Sequence, residues 1–161
     1  MQLSIVGAGS FGMALAIAAA RAGNDVLLWA HDPRVADDLR EKRENPIYMP
    51  GFKLSEKIQA TNRLEDIASF SETIFMVVPS HHYRGVLTEL SGFLDRDVKI
   101  ISATKGIENE SLERMSEISA AVLGARLSAF AALSGPTFAL ELARGDPTAA
   151  VIASSDRKSV V

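Results

Sequence analysis

Residues Gly7-Ala8-Gly9-Ser10-Phe11-Gly12 form a G-x-G-x-x-G, and their surroundings constrain this chain more than any other feature. The apolar run Leu3–Val6 has strand character and leads into the glycines. The Ala-rich run Met13–Ala22 has helical character and leads away from them. A strand, a glycine turn and a helix in that order make the phosphate-binding turn of a dinucleotide fold. Gly7 is expected to allow the tight turn, Gly9 to let the backbone approach a pyrophosphate, and Gly12 to bring helix and strand close. The amides of Ser10 and Phe11 then face an anion from a helix N-terminus.

The rest of the chain repeats the alternation. Strand-like runs are Leu3–Val6, Val26–Ala30, Thr73–Val78, Val98–Ser102, Phe130–Leu133 and Ala149–Ala153. Helically spaced segments lie between them: Phe11–Ala22, Pro33–Arg43, Leu64–Ala68, His82–Leu94, Ser111–Leu123 and Phe138–Ala143. Strands separated by helix-length segments predict βαβ units. The strands lack clean alternation, as expected when both faces of a sheet are covered. The expected fold is α/β: one doubly wound, mainly parallel, Rossmann-like sheet flanked by helices, spanning residues 1–161 as a dinucleotide-binding domain. Asn45–Gly51, with two prolines and a glycine, reads as an ordered loop over the sheet's edge.

Composition closes off other classes. With 161 residues, 47% apolar and 23% charged, the chain suits a folded domain with a real core. A net charge of −3 leaves no footprint for nucleic acid or an anionic membrane. No apolar run reaches the roughly 20 residues of a membrane span. No cysteine is present, so disulfides, thiolate metal sites and a Cys nucleophile are excluded. Three histidines without ligand-spaced carboxylates make a poor metal set, so no metal is expected. The N-terminus lacks the basic and apolar segments of a signal peptide, which points to the cytoplasm. Apolar Val160 and Val161, with no closing helix, suggest a chain that continues into a larger protein.

Four strand ends supply the remaining candidates. After the second strand, Asp32 stands 20 residues beyond Gly12, where an acid can bond the ribose hydroxyls of NAD. Asp32 before Pro33 is equally a helix N-cap. His31 can stack on an adenosine or meet a phosphate. Arg34 is either a 2′-phosphate contact or an exposed helix residue, so NAD and NADP both remain open. Pro79-Ser80-His81-His82-Tyr83 flanks the same edge, with Ser80 as a helix cap and the histidines solvated. Lys105, after Val98–Ser102, is a compact charge that can neutralise a phosphate or polarise a carbonyl. In Leu133–Ala139 the small residues expose amides, and Thr137 can cap a helix or donate to a ligand oxygen.

These segments resemble the N-terminal domain of NAD(P)-dependent glycerol-3-phosphate dehydrogenases. The matching stretches are the glycine turn with Ala14-Leu15-Ala16, Leu28-Trp29, Asn45–Gly51, Val77–His81, Thr104-Lys105-Gly106, and Leu133–Ala139 continuing to Pro147-Thr148-Ala149. The last is the most specific. The resemblance covers the whole chain but only about half of a family member. It implies reduction of dihydroxyacetone phosphate to sn-glycerol 3-phosphate with NADH or NADPH, feeding phospholipid synthesis. It implies that Ser10, Phe11, His31, Lys105 and Ala139 contact the cofactor, with Tyr83 against it. It assigns substrate contacts to Lys105, Gly135 and Thr137, and makes Lys105 the catalytic charge of this half.

Departures from the family pattern are Phe11 and Met13, which change little, and Asp32, where many bacterial members carry a basic residue. The family's main proton-transfer lysine and most phosphate-gripping groups belong to a helical C-terminal substrate domain outside this chain, so the 161 residues alone are expected to show little turnover. The partner is a small phosphorylated substrate, and a homo-oligomer of the full-length protein is compatible with the sequence. Two alternatives are a reductase of the β-hydroxyacid or ketopantoate type and a non-catalytic nucleotide-binding module. Ser134–Ala139 and Asn45–Gly51 argue against the first, and Lys105 and Thr137 at strand ends argue against the second.

Overall fold

The computed structural model describes residues 1–154; Val160 and Val161 lie outside this range. β1 (Gln2–Val6) enters the glycine turn and α1 (Ser10–Arg21) leaves it. There follow β2 (Asp25–Trp29), α2 (Pro33–Glu41), β3 (Ile58–Thr61), α3 (Leu64–Phe70), β4 (Thr73–Met76) and α4 (Ser80–Ser91). β5 (Val98–Ser102), α5 (Met115–Leu123), β6 (Leu127–Ser134), α6 (Ala139–Arg144) and β7 (Val151–Ser154) complete the described residues. The seven strands form one sheet in the order β3-β2-β1-β4-β5-β6-β7. The first six run parallel, and β7 is antiparallel to β6. The doubly wound α/β expectation therefore holds.

Successive side chains on a strand face opposite sides, so each central strand feeds two cores. Val6, Leu27, Trp29, Ile74, Met76 and Ile100 pack beneath α3, α4 and α5. Ile5, Val26, Leu28 and Ile58 pack beneath α1, α2 and α6. This is why the strands read as apolar without alternation.

Two expectations are corrected. β3 was absent from the sequence reading: it is a four-residue strand at the sheet's edge, with Gln59 exposed. β6 starts at Leu127, three residues before Phe130, because Leu127-Ser128-Ala129 carries little β signal yet pairs with β5. Asn45–Gly51 is an ordered loop at the carboxyl edge of the sheet, as expected. It lies against the glycine turn: the Asn45 amide donates to the Ala8 carbonyl at 3.0 Å, and the Ser10 hydroxyl donates to the Tyr48 carbonyl at 2.9 Å.

The sheet order reverses between β1 and β4, since α1 carries the chain to one side of β1 and α3 returns it to the other. In open α/β sheets this crevice beyond the carboxyl ends is where ligands bind.

Candidate active site

At that crevice the glycines act in three different ways. Gly7 has φ +122°, and a Cβ there would stand 2.4 Å from the Val77 carbonyl oxygen, so a bare backbone lets β1 touch β4. A Cβ on Gly12 would stand 1.8 Å from the Gly7 carbonyl oxygen, so α1 can only start this close to β1 without one. At Gly9 nothing lies within 4 Å of the Cβ position. Its φ of −71° suits any residue, so the space itself is what glycine preserves there.

Gly9 is the N-cap of the 12-residue α1, no side chain caps the helix, and its first turn carries no acid. The Met13 amide is the one that reaches back to the Gly9 carbonyl, at 2.9 Å. Helix geometry leaves the amides before it without helical acceptors. With the positive end of the helix dipole, they make an anion cradle that suits a pyrophosphate.

A cleft of about 400 Å³ opens over this turn. Gly7, Ala8 and Gly9 form its floor; Trp29, Ala30, His31, Asp32 and Val35 line it after β2. Val77, Val78 and Pro79 line it after β4, with His82 and Val86 from α4, and Ile47 and Tyr48 from the loop. Asp32 is the N-cap of α2, accepting from the Arg34 amide at 2.9 Å. It also pairs with the Arg34 guanidinium at 2.8 Å. These bonds hold the Asp32 carboxyl below its ordinary range and the Arg34 guanidinium above its own. Asp32 is therefore both helix cap and cleft residue, and Arg34, whose side chain is 90% exposed, is tied to it.

A second, smaller cavity of about 130 Å³ lies where β5 and β6 end. Phe11, Ala103, Lys105, Ser134, Gly135 and Thr137 line it. Thr104 anchors the strand end that carries Lys105, its hydroxyl donating to the Val78 carbonyl at 2.8 Å. Gly135, at φ +140°, sits where a Cβ would be 2.8 Å from the Ala149 carbonyl oxygen. The Thr137 hydroxyl donates to that same oxygen at 2.6 Å. The junction between β6 and α6 is thus bonded to the chain entering β7.

Two groups of expected site residues are brought together in this way. Gly7, Gly9 and His31 share the cleft; Phe11, Lys105, Gly135 and Thr137 share the smaller cavity. Ser10 lies between Gly9 and Phe11, exposed and bonded to the loop; Gly12 is buried at the turn, and Ala139 packs half-buried against α1's core.

Tyr83 is not where the resemblance put it. It is fully buried beneath α4, its hydroxyl 2.9 Å from that of Ser119, and burial pushes its phenol above the ordinary value. On a helix, positions 83, 87 and 90 share one face, which points into the core, while 82 and 86 share the face turned to the cleft. His82, expected to be solvated, is exposed and also lines the cleft. Ser80 is the first residue of α4 and makes no cap bond. Thr137 does not cap α6, which starts at Ala139 after Phe138. Its hydroxyl proton is committed to Ala149, so its oxygen is left to accept rather than donate.

Sequence reasoning missed Tyr48 and Ile47 as cleft residues. They stand 49% and 67% exposed in a loop fastened to the glycine turn, and nothing in the sequence places that loop there. Among the described residues no group of three or more His, Asp or Glu is placed to hold a metal.

A family model described as the NAD-dependent glycerol-3-phosphate dehydrogenase N-terminus matches residues 2–160. A glycerol-3-phosphate dehydrogenase (NAD(P)+) of Bartonella tribocorum is 43% identical over 156 residues, covering 97% of this chain and 46% of that protein. One from Tolumonas auensis is 42% identical over 158 residues, covering 98% and 47%. A crystal structure of glycerol-3-phosphate dehydrogenase from Coxiella burnetii superposes with a TM-score of 0.92 at 32% identity, covering 98% of this chain and 48% of that one. The chain spans about half the length of the curated relatives it matches. A match over nearly every residue, joined to this glycine turn and strand order, shows that the chain belongs to the N-terminal domain family of the NAD-dependent glycerol-3-phosphate dehydrogenases.

Proposed function

We propose that this chain is the cofactor-binding half of an NAD(P)-dependent glycerol-3-phosphate dehydrogenase that interconverts dihydroxyacetone phosphate and sn-glycerol 3-phosphate, the backbone unit of glycerophospholipids. The observation that carries this reading is the placement of two cavities at one sheet edge, the glycine cradle in one and Lys105 with Gly135 and Thr137 in the other. The relatives' names, glycerol-3-phosphate dehydrogenase (NAD(P)+), supply the substrate and the cofactor class.

The open space over Gly9 and the amides opening α1 receive the pyrophosphate. Trp29, His31 and Val35 on one side and Tyr48 on the other hold the adenosine half. When bound, the nicotinamide supplies or takes the hydride. Phe11 lines the smaller cavity and meets the cofactor from there. The Lys105 ammonium, held at the end of β5 by Thr104, meets the substrate oxygen or phosphate and stabilises negative charge as it develops. Gly135 keeps backbone close to the substrate, and the Thr137 oxygen accepts from a substrate hydroxyl. Proton transfer and the grip on the phosphate are completed by groups outside this chain. No helix among the described residues is long and apolar enough to cross a membrane. The lack of cysteine fits a reducing cytoplasm.

The test uses the full-length polypeptide that carries these residues. It should oxidise NADH or NADPH with dihydroxyacetone phosphate, and Lys105→Ala should lower turnover about 100-fold or more. No reduction of dihydroxyacetone phosphate by a folded, cofactor-binding full-length protein overturns the assignment. Full activity of the Lys105→Ala protein overturns the role given to Lys105.

A further inference from the structure

Asn45 is 1% exposed, and its side chain bonds in two directions at once. Its amide nitrogen donates to the Ala8 carbonyl at 3.0 Å, inside the glycine turn. Its amide oxygen accepts from the backbone N–H groups of Ile47 and Tyr48, each at 3.1 Å. The Asn45 carbonyl also accepts from the Met49 amide at 3.0 Å, which closes the loop on itself. The two sides joined by this one residue are the floor of the cleft and its outer lip.

We propose that Asn45 is a positioning residue for the pyrophosphate site: it sets the orientation of the Ala8–Gly9 peptide and, through the same amide, the distance from that peptide to the lip formed by Ile47 and Tyr48. The inference rests on the dinucleotide reading of the cleft. The peptide between Ala8 and Gly9 is trans, so its carbonyl and its N–H point in opposite directions. Holding the Ala8 oxygen on Asn45 therefore aims the Gly9 N–H away from the loop, beside the space left open over Gly9. An anion arriving there meets a donor already oriented and spends no binding energy on turning it. The bond from Ser10 to the Tyr48 carbonyl ties the same two sides a second time, at 2.9 Å, but from an exposed position. Asn suits the task because one short side chain carries a donor and an acceptor. Aspartate matches its shape, keeps the acceptor for Ile47 and Tyr48, and loses the donor to Ala8.

That difference separates a positioning role from a merely structural one once the added charge is screened, so affinities are read in 1 M salt, where the Debye length is about 3 Å. Affinities for ADP, which carries the diphosphate, and for adenosine, which does not, are measured on wild type, Asn45→Asp and Leu87→Ala. Leu87 is a core residue away from the cleft and controls for lost stability. Asn45→Asp should weaken ADP and NADH about tenfold and leave adenosine within about twofold. Leu87→Ala should lower the thermal midpoint and leave both affinities unchanged. An Asn45→Asp protein that folds and binds ADP as wild type does overturns the proposal, as does an equal loss for ADP and adenosine. A wild-type chain that binds neither ADP nor NADH overturns the dinucleotide reading and this inference with it. If Asn45→Asp does not fold, hydrogen exchange on the wild type decides. The Asn45 side-chain NH2 should be protected, and ADP should shift the Gly9 amide while that protection persists. Exchange as fast as a free asparagine side chain overturns the proposal.

Discussion

Among the described residues, Asp32 is the one carboxylate on the lining of the cleft, and neither Lys nor Arg lines it. Its counter-ion, Arg34, is spent on it through two side-chain bonds at 3.2 and 2.8 Å. A 2′-phosphate brought to this end of the cleft meets a negative neighbour whose cation is already engaged, whereas ribose hydroxyls meet an acceptor. NADH should therefore bind more tightly than NADPH, and Asp32→Ala should narrow the gap. Emission from Trp29, the single tryptophan, on the cleft wall, follows both titrations. A second residue-scale expectation concerns Tyr83. Tyr83→Phe removes a buried hydroxyl bond to Ser119, while Ser119 keeps its bond to the Met115 carbonyl at 2.8 Å. The cost should be about 1 kcal/mol of stability in a denaturant melt, with NADH affinity unchanged. A drop in affinity as large as the drop in stability would put Tyr83 back in the site. The sequence could not distinguish His82 from Tyr83, because a single helical step turns a side chain by about 100° and the phase of α4 is set only by what it packs against.

At the scale of the element, the strand–turn–helix at the N-terminus was legible because its glycines answer to sterics that the pattern encodes. Two of the three glycine roles can be told apart by substitution. Gly9→Ala places a methyl in open space, so the fold should lose about 1 kcal/mol or less, while dinucleotide binding falls sharply. Gly12→Ala places one 1.8 Å from the Gly7 carbonyl oxygen, and stability should fall by about 3 kcal/mol or more. Thermal melts alongside NADH titrations of both variants check this contrast. The segment carrying Lys105 has its own anchor: Arg84 of α4 bonds Glu108 at 2.7 Å and also pairs with Glu113. The Arg84 guanidinium, with the Ser111 hydroxyl, holds the Glu108 carboxyl at about 2, well below its ordinary value of 4.5. The stabilisation is fully present above about pH 4.5 and is lost as pH falls from there toward 2. Amide protection in residues 105–113, taken relative to the intrinsic exchange rate at each pH, should fall across that window, and Glu108→Gln should abolish the transition. β3 and the start of β6 escaped the sequence reading for a related reason. Ile58–Thr61 is only four residues long with Gln59 and Ala60 between its β-branched ends, and Leu127–Ala129 carries little strand preference; both become strands by pairing with β2 and β5.

Across the whole molecule, two cores on opposite faces of one sheet were readable, since every central strand must be apolar on both sides. The meeting of distant segments was not. Asn45–Gly51 carries no periodicity that says which part of the sheet it covers, and its place follows from bonds to Ala8 and from Ser10, both more than 35 residues away in sequence. Likewise Thr137 gave the signature of a helix cap until β7 came alongside to offer the Ala149 carbonyl. The contrast between near and far bonds has an evolutionary consequence. The side chains at the ribose end, His31, Asp32 and Arg34, make their contacts within residues 29–34. The pyrophosphate end is stitched to a separate loop by residues that serve floor and lip together. On the proposed cofactor placement, exchanges at 31, 32 and 34 can therefore retune the choice between the two nicotinamide dinucleotides one position at a time, while the turn proposed to hold their common diphosphate stays under lock. Lineages of such domains should drift in cofactor choice far faster than in the glycine turn.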